Sequence, residues 1–425
     1  MAVAVALALA LPTAAPSQAA VPRPHEDPFY AWSASALQDV PRGTVLRSRP
    51  VTVGVPGAGQ GVVPGVQLLY RTQDEQGRPS ATVTTVLNPT GPVNGGLVAY
   101  LSFYDALGDQ CSPSYTLQGG DPGASNSQLA VTEAGLVVGL AAQGYAVTVP
   151  DFEGTDLHWV AGHESGWSTL DSIRATESYL GMPASQKVGL FGYSGGSIAG
   201  EWAAELAPSY APELNLVGAA VGGLPVHLAH NLKYVNGSAS WSGVMPAVLV
   251  SLARAFGIKV NKYASRYGKQ VMAEVQDQCI GSFNGNYPGL KVQQLVKKKY
   301  HRFLKIRPIA KTINKLIMGS TPGTPQTPLF FGVGDHDGTG DDVMIKGDVQ
   351  GLAKEYCGQG APVQLKVYQG ADHTTAGLQF FPEAMAFLGQ RFAGLPFTGN
   401  CDQIPPGNSL APLKLRKKKR HHHAH

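Results

Sequence analysis

The chain has 425 residues, enough to bury a large core and more than a single domain usually contains. Its apolar fraction of 43% and mean hydropathy of −0.06 fit a soluble globular protein rather than a membrane-embedded one. The net charge of +4 is local, since residues 291–315 hold nine Lys and Arg, residues 414–420 hold six, and neither segment contains an acid. The remaining chain has 18 basic against 29 acidic residues, a formal charge of −11, so the positive charge says little about the body of the protein.

The first residues form a short apolar stretch followed by small residues, with Ser17 and Ala19 in the small positions. This pattern predicts a signal peptide over residues 1–19 and therefore a secreted protein. The stretch is too short to span a bilayer, and no other segment approaches the necessary length, so we expect no integral membrane segment.

Four cysteines agree with export, because their number is even and none is spaced as C-x-x-C. They predict two disulfides, for which the sequence alone permits three pairings, and such scattered thiols do not indicate a metal site. The four are Cys111, Cys279, Cys357 and Cys401.

Residues 20–60 are rich in Pro and Gly, and we expect an irregular arm there. Apolar, β-rich runs and helical stretches then alternate, which predicts an α/β fold whose mostly parallel sheet is covered on both faces. The predicted strands are Val66–Arg71, Ala81–Leu87, Gly96–Ser102, Tyr145–Val149, Lys187–Gly192, Leu216–Val221, Pro328–Val333 and Val363–Tyr368. The predicted helices are Leu129–Gln143, Trp167–Leu180, Ser197–Leu206, Asp342–Tyr356 and Ala376–Phe392.

The alternation stops between about Leu224 and Thr321, where helical periodicity continues without a convincing strand. We interpret residues 224–320 as a helical cap inserted between two parts of the core, residues 20–223 and 321–400. The last segment, residues 401–425, is a basic tail whose end we expect to be disordered.

The segment Lys187–Gly200 carries the strongest functional signal, because an apolar run enters Gly192-Tyr193-Ser194-Gly195-Gly196 and a small-residue helical stretch leaves it. This is a nucleophile elbow, G-x-S-x-G, in the strand–turn–helix context that the motif requires. Ser194 must occupy a strained backbone position, which its glycine neighbours permit, and the N–H of Gly195 points to where an oxyanion would form. The motif predicts a serine enzyme that transfers acyl groups.

In an α/β-hydrolase arrangement the catalytic residues follow the order serine, acid, histidine along the chain. His373 is the candidate base, because the other histidines precede Ser194 or lie in the cap or the tail. It follows a late predicted strand and precedes the last helix, where a base can reach the serine hydroxyl.

The acid should follow the preceding strand, where the segment FFGVGDHDGTGDD offers four aspartates. Its task is to accept the second ring N–H of the histidine and to stabilise the imidazolium. We select Asp337 as the acid, with Asp335 as the second choice and with Asp341 and Asp342 also in the loop.

The second oxyanion donor should come from Tyr104 or Asp105, which follow an early strand. A charged aspartate would repel the oxyanion. Therefore either the backbone N–H of Asp105 acts as the donor or its carboxyl is protonated.

These segments together resemble the secretory lipase family, the lipase A type of fungi and actinobacteria, from about Asp27 to Cys401. The resemblance is carried by YLSFYDALGDQCSPSY, YAVTVPDFEG, AGHESGWSTLDSIRA, FGYSGGSIAGEWAAELAPSYAPEL, GDHDGTGDD and ADHTTA. It implies an α/β-hydrolase fold, a catalytic set of Ser194, Asp337 and His373, and oxyanion positions at Asp105 and Gly195. It also implies disulfides between Cys111 and Cys279 and between Cys357 and Cys401. The acid loop departs from the D-x-x-V-P form of fungal members, which leaves Asp335 open beside Asp337.

The sequence thus predicts a secreted carboxylester hydrolase, a triacylglycerol lipase, that uses no metal or organic cofactor and acts on an ester or lipid substrate. A lipid–water interface is a second candidate partner. It does not indicate a nucleic-acid partner or an oligomeric state. The alternatives are an acyltransferase on the same fold, an esterase for soluble esters and, more remotely, a non-catalytic polyanion-binding envelope protein.

The basic cap stretch has apolar positions three and four residues apart, which predicts one helix with an apolar face and a lysine face. The apolar positions are Val292, Leu295, Val296, Tyr300, Phe303 and Leu304. Two interpretations of the lysine face stay open: it is a solvated surface, or it contacts anionic lipid through Lys297, Lys298, Lys299, Arg302 and Lys305.

Overall fold

The computed structural model describes residues 21–54, 62–120 and 127–415. The predicted signal peptide and the last ten residues of the basic tail lie outside them. No helix in these ranges is long and apolar enough to cross a membrane.

Nine strands form one sheet in the described part of the chain, in the order β1-β2-β3-β5-β4-β6-β7-β8-β9. The strands from β4 to β9 run parallel to one another, whereas β1, β2 and β3 form an antiparallel edge in which β3 is also antiparallel to β5. They span Val45–Val53 (β1), Val63–Gln73 (β2), Pro79–Leu87 (β3), Gly96–Leu101 (β4), Ala146–Pro150 (β5), Lys187–Tyr193 (β6), Asn215–Gly222 (β7), Leu329–Asp335 (β8) and Val363–Gln369 (β9). All eight predicted strands are present, and the expected α/β fold class is confirmed.

Strand β1 was not predicted, because we expected an irregular arm over residues 20–60. It lies at the edge of the sheet, pairs with β2 alone, and contains Pro50. Edge strands tolerate proline and exposed polar residues, so the alternation that marks a half-buried strand is absent from its sequence.

Twelve helices accompany the sheet in the described residues, apart from short 3₁₀ turns. They span Pro113–Thr116 (α1), Ser127–Ala142 (α2), Gly162–Leu180 (α3), Gly195–Tyr210 (α4), Leu228–Tyr234 (α5), Val244–Phe256 (α6), Arg266–Val275 (α7), Ile280–Phe283 (α8), Val292–Leu295 (α9), Arg307–Lys315 (α10), Lys346–Gly358 (α11) and His373–Phe392 (α12). The predicted helix at 342 begins four residues later than expected, at Lys346, and those four residues belong to a loop.

Helices cover both faces of the sheet and bury two apolar clusters. On one face α3, α4 and α11 contribute side chains such as Ile173, Trp202 and Leu352. On the other face α2 and α12 contribute Val137 and Phe380, and the Phe380 ring stacks on Phe330 of β8 at 5.4 Å. Strands buried on both faces explain the nearly continuous apolar runs in the sequence.

Residues 224–320, the cap segment, contain helices α5 to α10 and contribute no strand to the sheet. The predicted single amphipathic helix in the basic stretch is wrong. The chain instead forms the four-residue helix α9 and two 3₁₀ turns, Lys298–Tyr300 and Phe303–Lys305. The apolar residues still point inward, since Leu295, Val296 and Phe303 are buried.

Two disulfides join Cys111 to Cys279 and Cys357 to Cys401, and the described residues contain no free cysteine. The first ties the loop after β4 to the cap segment, alongside an isolated β-bridge between Ala106 and Cys279. The second ties α11 to the segment beyond α12. The pairing implied by the family resemblance is the pairing in the structure.

The described part of the basic tail, residues 401–415, packs against the rest of the protein. Ile404 and Leu410 are buried, and the backbone N–H of Leu413 donates to the side chain of Asn314 in α10 at 2.7 Å. The part that we expected to be disordered lies outside the described residues.

Each disulfide is expected to stabilise the folded protein by limiting the unfolded chain. The bridges close segments of 168 and 44 residues, so their loss should cost about 5 and about 4 kcal/mol of unfolding free energy in the chain-entropy estimate. Urea unfolding of Cys111→Ser/Cys279→Ser and of Cys357→Ser/Cys401→Ser measures both costs. A free thiol in the oxidised parent, or no change in stability in either variant, would contradict this expectation.

Candidate active site

Four loops at the carboxyl edge of the parallel sheet bring the candidate residues together. Ser194 follows β6, Asp105 follows β4, the aspartate loop follows β8, and His373 follows β9 as the first residue of α12. The carboxyl ends of parallel strands meet at one edge of a sheet, which explains why residues so distant in sequence are neighbours.

The backbone at Ser194 is strained, with φ 54° and ψ −121° between β6 and α4. The strain is accommodated by close backbone approaches on both sides of the serine. A Cβ on Gly192 would lie 2.3 Å from the carbonyl oxygen of Gly196, and a Cβ on Gly196 would lie 2.0 Å from that of Leu101. Glycine is therefore required at both positions, as the elbow motif predicts.

A continuous hydrogen-bond chain links serine, histidine and one aspartate. His373 Nε2 lies 2.8 Å from Ser194 Oγ, and His373 Nδ1 lies 2.9 Å from Asp341 Oδ2. All three residues are buried. The imidazole is further held by its neighbours, since the Tyr193 hydroxyl donates to the His373 carbonyl at 2.6 Å and the Trp241 ring meets the imidazole edge-on at 5.3 Å.

The aspartate in this chain is Asp341 and not Asp337, which corrects our choice from the sequence. Asp337 is exposed, and its Oδ1 accepts from the backbone N–H groups of Thr339 and Gly340 at 2.8 and 3.0 Å, so it closes its own turn. Asp335, the second choice, pairs with Lys346 at 2.6 Å.

Asp341 is fully buried, and a backbone N–H group holds its carboxylate in place. Its Oδ1 accepts from the backbone N–H of Met344 at 2.7 Å, which leaves Oδ2 for the histidine. The signal that could have identified it is the apolar run Val343–Ile345 that follows, because all three residues are buried and draw the preceding aspartate inward.

Asp105 lies against Gly195, the other residue for which the sequence predicts an oxyanion role. A Cβ on Gly195 would lie 2.1 Å from Asp105 Oδ1. The backbone at Asp105 is left-handed, with φ 40°. Burial raises the pKa of Asp105 to about 7, although hydrogen bonds from the indole of Trp159 and the backbone of Gly195 and the charge of His373 act to lower it.

Sequence reasoning missed Trp159, which positions Asp105. Its indole Nε1 donates to Asp105 Oδ1 at 2.5 Å. Leu157 and Val160, which enclose His158 and Trp159 in the sequence, have left-handed backbone, at φ 53° and 59°. The Trp159 carbonyl accepts a hydrogen bond from the hydroxyl of Ser251 in the cap segment. The loop is also fixed by His158, whose Nδ1 lies 2.7 Å from Glu164 in α3.

A second buried carboxyl, that of Glu133 in α2, holds the start of the loop that carries Asp105. It accepts from Ser102 Oγ at 2.8 Å, from the backbone N–H of Phe103 at 3.0 Å and from the Tyr100 hydroxyl at 3.1 Å. Burial raises the pKa of Glu133 to about 7 despite these donors.

The cavity at Ser194 is small and mostly apolar, with a volume of about 60 Å³. Helices α5 and α6 contribute a large part of its lining, and we call this part the roof. Its lining includes Ser194, Gly195, Asp105, Trp159, Leu228, Leu232, Trp241, Val244, Val248, Ile280 and Met344.

A groove of about 1510 Å³, larger than the cavity at Ser194, is lined by Trp167, Lys354 and residues 406–412. Neither Ser194 nor His373 lines this groove.

Comparison with known proteins places this geometry in a family. The secretory lipase family model matches residues 123–400. The chain belongs to the secretory lipase family. It is a secreted enzyme that hydrolyses esters.

Among curated relatives, the chain is 33% identical over 390 residues to lipase A of Moesziomyces aphidis, which covers 89% of this chain and 82% of the relative. It is 32% identical over 399 residues to a secreted triacylglycerol lipase of Malassezia restricta, covering 91% and 83%. A probable inactive lipase of Mycobacterium tuberculosis is 31% identical over 383 residues, covering 88% and 84%.

Among solved structures, lipase A of Candida antarctica in its closed state superimposes with a TM-score of 0.83 at 31% identity, covering 92% of this chain and 91% of that one. A rice cell wall degrading esterase of Xanthomonas oryzae has a TM-score of 0.62 at 16% identity and supports the fold alone, covering 86% and 100%.

Proposed function

We propose that this secretory lipase hydrolyses triacylglycerols through an acyl-enzyme on Ser194, with His373 as the base and Asp341 as the acid. The observation that carries the proposal is the hydrogen-bond chain from Ser194 through His373 to Asp341, at 2.8 and 2.9 Å, beneath an apolar cavity. The relatives named above include a secreted triacylglycerol lipase of Malassezia restricta, which supports this substrate class.

The reaction begins when His373 Nε2 takes the proton of Ser194 Oγ as the serine attacks the ester carbonyl. Asp341 accepts from Nδ1–H, which holds the ring in the required tautomer and stabilises the imidazolium. His373 then returns the proton to the leaving alcohol. Water, activated by the same base, releases the fatty acid from the serine.

The oxyanion is stabilised by the N–H of Gly195, at the N-terminus of α4, together with the Asp105 loop. With a pKa of about 7, the Asp105 carboxyl is largely neutral below that pH and can donate a hydrogen bond to the oxyanion. Above that pH it ionises and repels the oxyanion. Trp159 fixes the carboxyl in place through its indole N–H.

The relatives include a probable inactive lipase, so activity needs its own support in this chain. The unbroken hydrogen-bond chain of the three buried residues Ser194, His373 and Asp341 supports activity.

We further propose that residues 224–320 act as a cap that moves. A cavity of about 60 Å³ has room for about two water molecules and not for an acyl chain.

The substrate class is tested by comparing emulsified long-chain triacylglycerols with dissolved short-chain esters. We expect turnover on the emulsion, where a lipid surface meets the cap, and loss of turnover by several orders of magnitude in Ser194→Ala on both substrates. Activity confined to dissolved esters would contradict the lipid substrate, and transfer of the acyl group mainly to an added alcohol would indicate an acyltransferase.

The identity of the acid is tested by Asp341→Asn against Asp337→Asn, the same chemical change in the same loop. Asp341→Asn should lower kcat about 10⁴-fold, because an amide cannot accept the Nδ1–H and hold the tautomer. Asp337→Asn should change kcat by no more than a few-fold. Circular dichroism checks that both variants fold, and the reverse order of the two effects would restore Asp337 as the acid.

The role of Asp105 is tested by the pH dependence of kcat. We expect kcat of the parent to fall as the pH rises through about 7, since ionised Asp105 opposes the oxyanion. Asp105→Asn has no ionisable group at this position and keeps a side-chain donor, so this fall should disappear. A parent profile without a fall above pH about 7, or the same fall in Asp105→Asn, would contradict the role.

A further inference from the structure

The cap segment carries an unusual concentration of positive charge between residues 259 and 315. This stretch contains thirteen Lys and Arg and only two acids, Glu274 and Asp277. All thirteen basic side chains belong to exposed residues. They are Lys259, Lys262, Arg266, Lys269, Lys291, Lys297, Lys298, Lys299, Arg302, Lys305, Arg307, Lys311 and Lys315.

None of these thirteen residues forms an ion pair within 4 Å with a carboxylate of the described residues. The two acids of the stretch are engaged elsewhere. Glu274 accepts from Gln270 and from the Tyr287 hydroxyl, both at 2.9 Å, and Asp277 lies 3.3 Å from Arg23. The basic side chains of the catalytic body are different, because Arg78 and Lys346, for example, each pair with an aspartate.

Backbone contacts gather two parts of this stretch into one surface. The Lys297 N–H donates to the Tyr263 carbonyl at 2.9 Å, and Lys297 Nζ donates to the Lys262 carbonyl at 3.0 Å. The rings of Tyr263 and Tyr300, one from each part, meet edge-on at 5.1 Å. We name this surface the basic face; it comprises Lys259, Lys262, Lys297, Lys298, Lys299, Arg302 and Lys305.

The basic face adjoins the roof of the catalytic cavity. Arg302 and Lys305 line a cavity of about 430 Å³ beneath the face, and Leu232 of α5 lines both that cavity and the one at Ser194. An anionic surface that contacts the basic face is therefore brought next to the part of the cap that covers the serine.

We propose that the basic face docks the enzyme on membranes or droplets that contain anionic lipids, a proposal that rests on the lipid substrate proposed above. Clustered lysines without carboxylate partners attract anionic head groups, and tyrosines are suited to the boundary between lipid and water. The neighbouring catalytic cavity favours a lipid surface over a nucleic acid as the partner.

The attraction is electrostatic, and its contribution to binding affinity follows from the number of lysines. A Lys or Arg near an anionic membrane strengthens binding about 5-fold, so three lysines contribute on the order of 100-fold at low salt. The effect should fade as added salt shortens the Debye length from about 30 Å towards about 8 Å.

The test compares Lys297→Gln/Lys298→Gln/Lys299→Gln with the control Arg42→Gln/Lys187→Gln/Lys366→Gln. Both variants lose three exposed positive charges, but the control residues lie on the catalytic body, where Lys187 begins β6 at the sheet edge opposite Ser194. Binding is measured by co-sedimentation with phosphatidylcholine vesicles with and without phosphatidylglycerol, in a Ser194→Ala background so that the lipid is not consumed.

We expect the lysine variant to lose on the order of 100-fold in affinity for the anionic vesicles at low salt, and the control to lose much less. With Ser194 intact, the lysine variant should hydrolyse a dissolved short ester at the parent's rate, which shows that the protein is folded and that ester hydrolysis itself is unaffected. Equal vesicle binding by parent and lysine variant, or equal losses in variant and control, would overturn the proposal. Tighter binding to a nucleic acid than to the vesicles would also overturn it, whereas an inactive parent would refute the proposed function instead.

Discussion

The site depends on one backbone constraint, the strained conformation of Ser194. At φ 54° and ψ −121° the serine is turned out of the sheet, and its N–H donates to the carbonyl of Gly222 at 2.9 Å. Gly192 and Gly196, two residues before and after it, let the backbone at Gly196 and at Leu101 approach more closely than a side chain would allow. The rigid elements on either side, β6 and α4, hold the strain, and the hydroxyl is therefore fixed within reach of His373 before any substrate arrives.

Around this fixed point the protein arranges buried carboxyl groups rather than positive charges. Glu133 holds the start of the loop after β4, Glu153 accepts from the N–H of Ala106 at 3.1 Å, and Asp105 lies between them. Burial raises the pKa of all three, because a low-dielectric interior disfavours each charge. The loop is thus fixed by hydrogen bonds to carboxyl groups whose neutral form is favoured by burial, in a place where a negative charge would oppose the oxyanion of the proposed mechanism.

The sequence predicted the parts of the molecule that repeat a local pattern. Buried parallel strands appear as apolar runs, and the elbow has a fixed spacing, so eight strands and the position of Ser194 followed from the residues alone. The edge strand β1 has neither signal. The choice among four aspartates depended on how the loop after β8 folds back, with Asp341 N–H bonded to the Met344 carbonyl at 3.1 Å, and spacing from the strand could not reveal that reversal.

The same limit explains Trp159 and the basic stretch. Trp159 reaches Asp105 from a loop 54 residues away in sequence, and its position depends on two left-handed neighbours that no pattern marks. In the basic stretch, periodic apolar residues suggested one helix, but short turns serve equally well to bury Leu295, Val296 and Phe303. The spacing of apolar residues therefore predicted which side chains are buried but not the secondary structure that buries them.

The bridge between Cys111 and Cys279 has a mechanical consequence for any opening of the roof. Ile280, the next residue after Cys279, lines the catalytic cavity, whereas Leu232 and Trp241 line it from segments that contain no disulfide. If the roof opens as proposed, the bridge keeps its edge at Cys279 beside Cys111, so the opening has to come from the side of Leu232 and Trp241. The same bond anchors the loop after β4, which carries Asp105, so in such an opening this loop would stay with the sheet.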